Sequence, residues 1–144
     1  MKLIEDLIAG AKTLGACRLG SGVTNPEDAA RLLFTSQGRE FCLAKGYPTL
    51  EMWREIKQNV PGLREMGIYV DEGTVHIDNE IRMAIIGETI AHASLSGAEQ
   101  AFTVICQHGA SAYIGASNYA VVRTEKDTPS HIKVFTDNTA VHLR

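Results

Sequence analysis

Three cysteines in the whole chain, Cys17, Cys42 and Cys106, are too few, too scattered and odd in number for a disulfide framework. No C-x-x-C pair occurs, and no Cys/His set has zinc spacing. Buried, reduced thiols in a cytoplasmic protein are the expectation. Long apolar runs are missing as well. None approaches the roughly 20 residues of a membrane-spanning helix, and the opening stretch Met1–Gly15 is interrupted by Glu5 and Asp6 before an apolar signal-peptide core can form. Membrane and secretory readings are set aside. There is no basic run either. Residues 1–66 hold nine Lys/Arg against eight Asp/Glu, and residues 67–144 hold five against nine. An acidic second half is a poor partner for phosphate backbones, so nucleic-acid binding is disfavoured, with the N-terminal helices its only plausible seat. Glycine, proline and charge stand near ordinary globular values, which excludes collagen-like and disordered classes. A chain of 144 residues can bury a core without metal or crosslinks.

What is present is regularity. From about Thr74 onward, turn-forming pairs recur: Asp78-Asn79, Gly87-Glu88, Ser96-Gly97, His108-Gly109, Ser117-Asn118, Lys126-Asp127 and Asp137-Asn138. Their first members stand 9, 9, 12, 9, 9 and 11 residues apart. The intervening runs alternate with a period of two, the mark of half-buried strands. The predicted inward set is Val75, Ile77, Ile81, Met83, Ile85, Ala91, Ala93, Leu95, Phe102, Val104, Cys106, Ala112, Ile114, Ala120, Val122, Ile132, Val134, Val141 and Leu143. His76, Arg82, His92, Thr103, Tyr113, Arg123, Lys133, His142 and Arg144 are expected on the other side. Ile68–Val70, Asp71-Glu72-Gly73 and Thr74–Ile77 read as a hairpin around a three-residue turn.

Alanine is a weak strand former, so four of them on the inward face call for a separate cause. A narrow interior between two stacked sheets supplies it. Even turn spacing points the same way, and a β-solenoid or roll is preferred to a sandwich, a barrel or a helix over residues 80–107.

The first half reads as short helices. Leu3, Ile4, Leu7, Ile8, Ala11 and Leu14 make one stripe on a helix over Lys2–Thr13. Asn25-Pro26-Glu27-Asp28 is a helix start, with Asn as cap and acids facing the helix dipole. Gly38 is expected to end that helix, and Phe41-Cys42-Leu43 to form another ending at Gly46. Pro48-Thr49 opens a third with Leu50, Trp53, Ile56 and Lys57, where Trp53 serves as a core anchor. Val60-Pro61-Gly62 closes the region. The fold class is therefore α+β, with a helical part (1–66) capping a C-terminal all-β stack (67–144).

Candidate chemistry is sparse. Arg18, the Gly20-Ser21-Gly22 loop and the helix start at Asn25 resemble an anion cradle, but neither a dinucleotide fingerprint nor a P-loop is present, and a capped loop is the preferred reading. His76, His92, His131 and His142 are read as surface residues and His108 as a turn residue, so no metal or cofactor is expected. Cys106 with His108 lacks an orienting third group for nucleophilic catalysis. Asp71, Glu72, Asp78 and Glu80 are too loosely ordered for a calcium loop.

Leu33-Phe34-Thr35-Ser36-Gln37-Gly38-Arg39-Glu40-Phe41-Cys42, Gly46-Tyr47-Pro48-Thr49-Leu50-Glu51 and Gly67-Ile68-Tyr69-Val70-Asp71 resemble segments of small uncharacterised bacterial proteins, as do His108–Ala112 and Ala116–Val122. The resemblance implies helices followed by short strands and carries over no functional residue.

The expected function is a non-enzymatic assembly module. Its last strand, running to Val141 and Leu143, would pair with another copy or a protein partner. A small-ligand or carbohydrate module using Tyr113, Tyr119 and Phe135 is the alternative.

Overall fold

The computed structural model describes residues 2–13 and 25–144. The cradle expected around Arg18 and Gly20–Gly22 lies outside these residues. The chain divides into two compact units, Met1–Leu63 and Arg64–Arg144.

In the first unit the helices are α1 (Lys2–Thr13), α2 (Pro26–Arg31), α3 (Ser36–Lys45) and α4 (Leu50–Asn59). Their starts follow from local capping. Asn25 Oδ1 accepts from the Asp28 amide at 2.8 Å, Thr35 Oγ1 from Gly38 at 3.1 Å and Thr49 Oγ1 from Met52 at 3.2 Å. Gly46, with φ of 62°, ends α3 in the left-handed region. Trp53 and Ile56, three apart on α4, are fully buried. Tyr47 donates its hydroxyl to the Leu7 carbonyl at 2.6 Å and so ties α1 to the segment before α4. Gly38 does not separate two helices as expected. It sits inside α3, where a Cβ would run into the Leu32 carbonyl oxygen, so the glycine serves a close backbone approach.

The second unit contains nine strands: β1 (Ile68–Val70), β2 (Gly73–Asp78), β3 (Arg82–Ile86), β4 (Thr89–Ser96), β5 (Ala101–Gln107), β6 (Ser111–Ser117), β7 (Val121–Lys126), β8 (His131–Thr136) and β9 (Val141–Leu143). They alternate between two sheets, one ordered β1-β3-β5-β7-β9 and the other β2-β4-β6-β8, and every pairing is parallel. The chain passes from one sheet to the other at each corner and returns one strand further on. This is a β-solenoid of about four turns. Ala84 pairs with Ile105 and Val121 with Val141, steps of 21 and 20 residues. The first turn is shorter, Ile68 standing opposite Ala84.

All seven expected turn pairs fall at or beside corners. Several corner residues take left-handed backbone angles, including Asp71, Asn79, His108, Asn118 and Tyr119. The expected β1–β2 hairpin is not formed. Asp71 (φ 51°) and Gly73 (φ 67°) instead carry the chain across from one sheet to the other, and each strand pairs with a neighbour one turn away.

Corners are joined to one another by side chains from the adjoining turn. Asp71 Oδ1 accepts from the Glu88 amide at 2.8 Å, and Asn79 Oδ1 from Ser96 at 2.9 Å. Asp127 Oδ2 accepts from His108 at 2.7 Å, Ser130 Oγ from Gly109 at 3.0 Å and Thr139 Oγ1 from Tyr119 at 2.9 Å. The amides of Glu88, Ser96, His108, Gly109 and Tyr119 thereby find acceptors where the chain leaves the ladders.

The interior is narrow, as the alanines suggest. The ladders Val75–Ala91–Ala112–Ile132 and Ile77–Ala93–Ile114–Val134 run up the even-strand sheet. They face Met83, Ile85, Phe102, Val104, Cys106 and Val122 of the other sheet. Small residues on one side accept large ones from the other.

Three of the expected inward residues point out. Ile81 lies in a corner and is exposed, and Val141 and Leu143 are exposed on β9. The register of β9 is the cause: Val122, which is inward, pairs with His142, so the parity of β9 is the reverse of that expected. The outer face of the odd-strand sheet also departs from expectation, since Ile68, Val70, Ala84, Ile86, Ile105 and Gln107 are buried outside the inner cluster. The continuous apolar runs Ile68-Tyr69-Val70, Met83–Ile86 and Val104-Ile105-Cys106 are those of strands covered on both faces.

Two substitutions test this arrangement. Ala112→Leu overfills the interior and is expected to cost about 1–3 kcal/mol in denaturant unfolding; a neutral result would mean the interior is wider than described. Asp127→Ala removes acceptors for His108 and Ser130 and is expected to cost roughly 1–3 kcal/mol by the same measurement.

Candidate interaction surfaces

Two surfaces of the solenoid stand out. The first is its last turn. β8 and β9 are edge strands, each hydrogen-bonded on one side only. Core positions are sealed one turn earlier, at Ala112, Ile114 and Ala120, whereas Ile132, Val134 and Ala140 are only partly buried. Val141 is 48% and Leu143 41% exposed. The first turn differs, because Tyr69, Val75 and Ile77 are all buried. His142 bonds to Thr124 through Nε2 at 2.7 Å, and partial burial, followed by the charge of Arg144, holds its pKa below the ordinary imidazole value. Asp137 caps the β8–β9 corner. Its Oδ1 accepts from the Thr139 hydroxyl and amide and from the Ala140 amide, which holds its pKa down at about 2.

The second surface is the outer face of the even-strand sheet. Here β4 and β6 show strict alternation of buried and open residues. His76, His92, Tyr113 and Lys133 form one ladder. The rings of His76 and His92 stack at 5.4 Å, and those of His92 and Tyr113 at 5.5 Å. The adjacent ladder is Asp78, Ser94, Gly115 and Phe135. Around Gly115 lies an open groove of about 510 Å³ lined by Asp78, Asn79, Ser94, Phe135 and Thr136, among others. A neighbouring depression of about 360 Å³ runs over Ile81, Gly97 and Phe102 and shares Asn79 and Ser96 with it.

The catalytic and metal candidates are not assembled. Cys106 is in the core, and burial, then the nearby Asp127, pushes its thiol up to about 12; His108 is in a corner with a φ of 61°. Asp71 and Glu72 lie at one end of β2 and Asp78 and Glu80 at the other, about 20 Å away at the rise of a strand. Glu80 accepts the Tyr69 hydroxyl at 2.6 Å, so its carboxylate is engaged within the fold. Among the described residues no group of three or more His, Cys, Asp or Glu is placed to hold a metal ion. Nor is any helix among them long and apolar enough to cross a membrane.

Of the three aromatics expected to bind a ligand, Phe135 lines the groove, Tyr113 stands in the next ladder and Tyr119 occupies the β6–β7 corner. The His76–His92 contact spans 16 residues and was invisible to local spacing; only the register between β2 and β4 creates it.

The fold defines a class, an α+β protein with a C-terminal β-solenoid. No protein-family model matches the chain, and neither does any curated protein or solved structure.

Cys42 and Cys106 are both buried with thiol pKa values pushed up to about 12. Both are expected to resist an aromatic disulfide reagent at pH 8 and to react fully once unfolded, as read by peptide mass mapping. Rapid native labelling of either would contradict its placement.

Proposed function

We propose that the protein is a non-enzymatic assembly module whose last solenoid turn pairs with the same turn of a second copy. One observation carries the reading: the inner ladders end at Ile132, Val134 and Ala140 only half-covered, beside two edge strands with open backbone groups. Such an edge is a template for further pairing. The core residues of the first turn are buried, which disfavours first-to-last stacking into filaments. A two-fold contact between last turns is favoured instead, since it uses the same patch on both partners and closes on itself. Buried thiols outside any disulfide, Cys42 and Cys106, fit a reducing, cytoplasmic setting.

Light scattering coupled to size exclusion over a wide concentration range tests this. A mass near twice that of the chain is expected, and Val134→Lys, an inward-facing edge charge, is expected to return it to the monomer while circular dichroism stays unchanged. A monomer at every concentration overturns the self-pairing. Capture of an extended peptide by the same edge, in place of a second copy, would shift the reading to a protein partner.

A further inference from the structure

We propose that the groove over Gly115, on the outer face of the even-strand sheet and reaching the edge strand β8 at Phe135, is a binding site for a neutral oligosaccharide. The starting point is a glycine the fold does not need. Gly115 lies in the middle of β6 and is absent from the positive-φ positions. A Cβ built there would meet only the Ala93 carbonyl oxygen, at an ordinary 3.9 Å. Glycine inside a strand costs about 0.5–1 kcal/mol relative to alanine, and such a residue often marks close approach by another molecule. Neither backbone nor packing explains it, whereas an open groove does.

The surroundings specify the occupant. Phe135 pairs with Gly115 and is 54% exposed; Lys133 leans on its ring at 5.1 Å. With no side chain at Gly115, the ring stands beside a trough floored by backbone. Asn79 and Asp137 are held in corner hydrogen bonds, giving a fixed rim. The side chains of Asp78, Ser94 and Thr136 make no hydrogen bond within the described residues and are open to a ligand.

Asp78 and Asp137 line the groove and no Lys, Arg or His among the described residues does, so an anion inside it meets like charge, with the nearby cation Lys133 held against Phe135 beside the groove. A wholly apolar ligand would strip water from the Asp78 carboxylate without compensation. A short neutral oligosaccharide meets both demands. The C–H face of one pyranose packs on the phenyl ring, and hydroxyls of a neighbouring unit donate to the two oxygens of Asp78 and exchange hydrogen bonds with Ser94. From Asp78 to Phe135 the ladder crosses three strand spacings, about 14 Å, enough for a short oligosaccharide. A shallow groove with one aromatic wall implies affinity of about millimolar order.

The test is a titration of the nitrogen-15-labelled full chain with cellohexaose, xylohexaose and chitohexaose, followed by amide shifts. Hexagalacturonate and a lysine-rich peptide serve as comparison probes. Saturable shifts at Ser94, Gly115 and Thr136 are expected with at least one neutral sugar. They are expected to weaken at least tenfold in Phe135→Ala and in Gly115→Val, the latter keeping or raising the melting temperature because a Cβ at residue 115 has room and valine favours a strand. Gly115→Ala serves if the valine variant folds poorly. The proposal is overturned if no neutral sugar gives saturable shifts, if the glycine variants bind as well as the parent, or if the acidic sugar or the peptide binds more tightly.

Discussion

Parallel pairing in register, turn upon turn, is the constraint on which the β unit depends. Once Ala84 must stand over Ile105 and Val121 over Val141, corners have to recur at fixed places. Each corner then has amides without ladder partners. Asp71, Asn79, Asp127, Ser130 and Thr139 meet that need by accepting from the adjoining turn. Turn residues here have two tasks: left-handed geometry and hydrogen bonds between turns.

The same constraint sets composition. Two sheets joined by tight corners leave room for one layer of interdigitating side chains, which is why Ala91, Ala93 and Ala112 oppose Met83, Ile85 and Val104. It also decides which surfaces are open. The odd-strand sheet also buries Ile68, Val70, Ala84, Ile86, Ile105 and Gln107 on its outer face, and these stretches read as unbroken apolar runs. The even-strand sheet keeps an open outer face, where repeating register turns single residues into ladders of aromatic and polar groups.

Much of this was legible from residue order. Period-two alternation, near-even turn spacing and surplus alanine together pointed to a stacked β architecture, and capping residues marked the starts of α2 and α4. Errors arose where a local rule met a distant partner. The three-residue turn at Asp71–Gly73 looked like a hairpin because both outcomes need the same left-handed turn chemistry; only competition with parallel partners one turn away separates them. In β9, three residues were too few for alternation to fix parity, and pairing of His142 with Val122 reversed it. Gly38 read as a breaker because a sequence shows the missing side chain and not the Leu32 carbonyl that demands it.

The residue order by itself determined where the chain turns, which positions favour helix or strand, and that the interior must be slim, since these follow from backbone sterics and from hydrophobic period within a few neighbours. The register between turns was decided only in three dimensions. That register stacked His76 on His92, set Phe135 beside Gly115 and left Val134 half-covered, because each contact joins residues 16 to 21 positions apart or ends a ladder, and no local pattern encodes which distant strand will supply the hydrogen bonds.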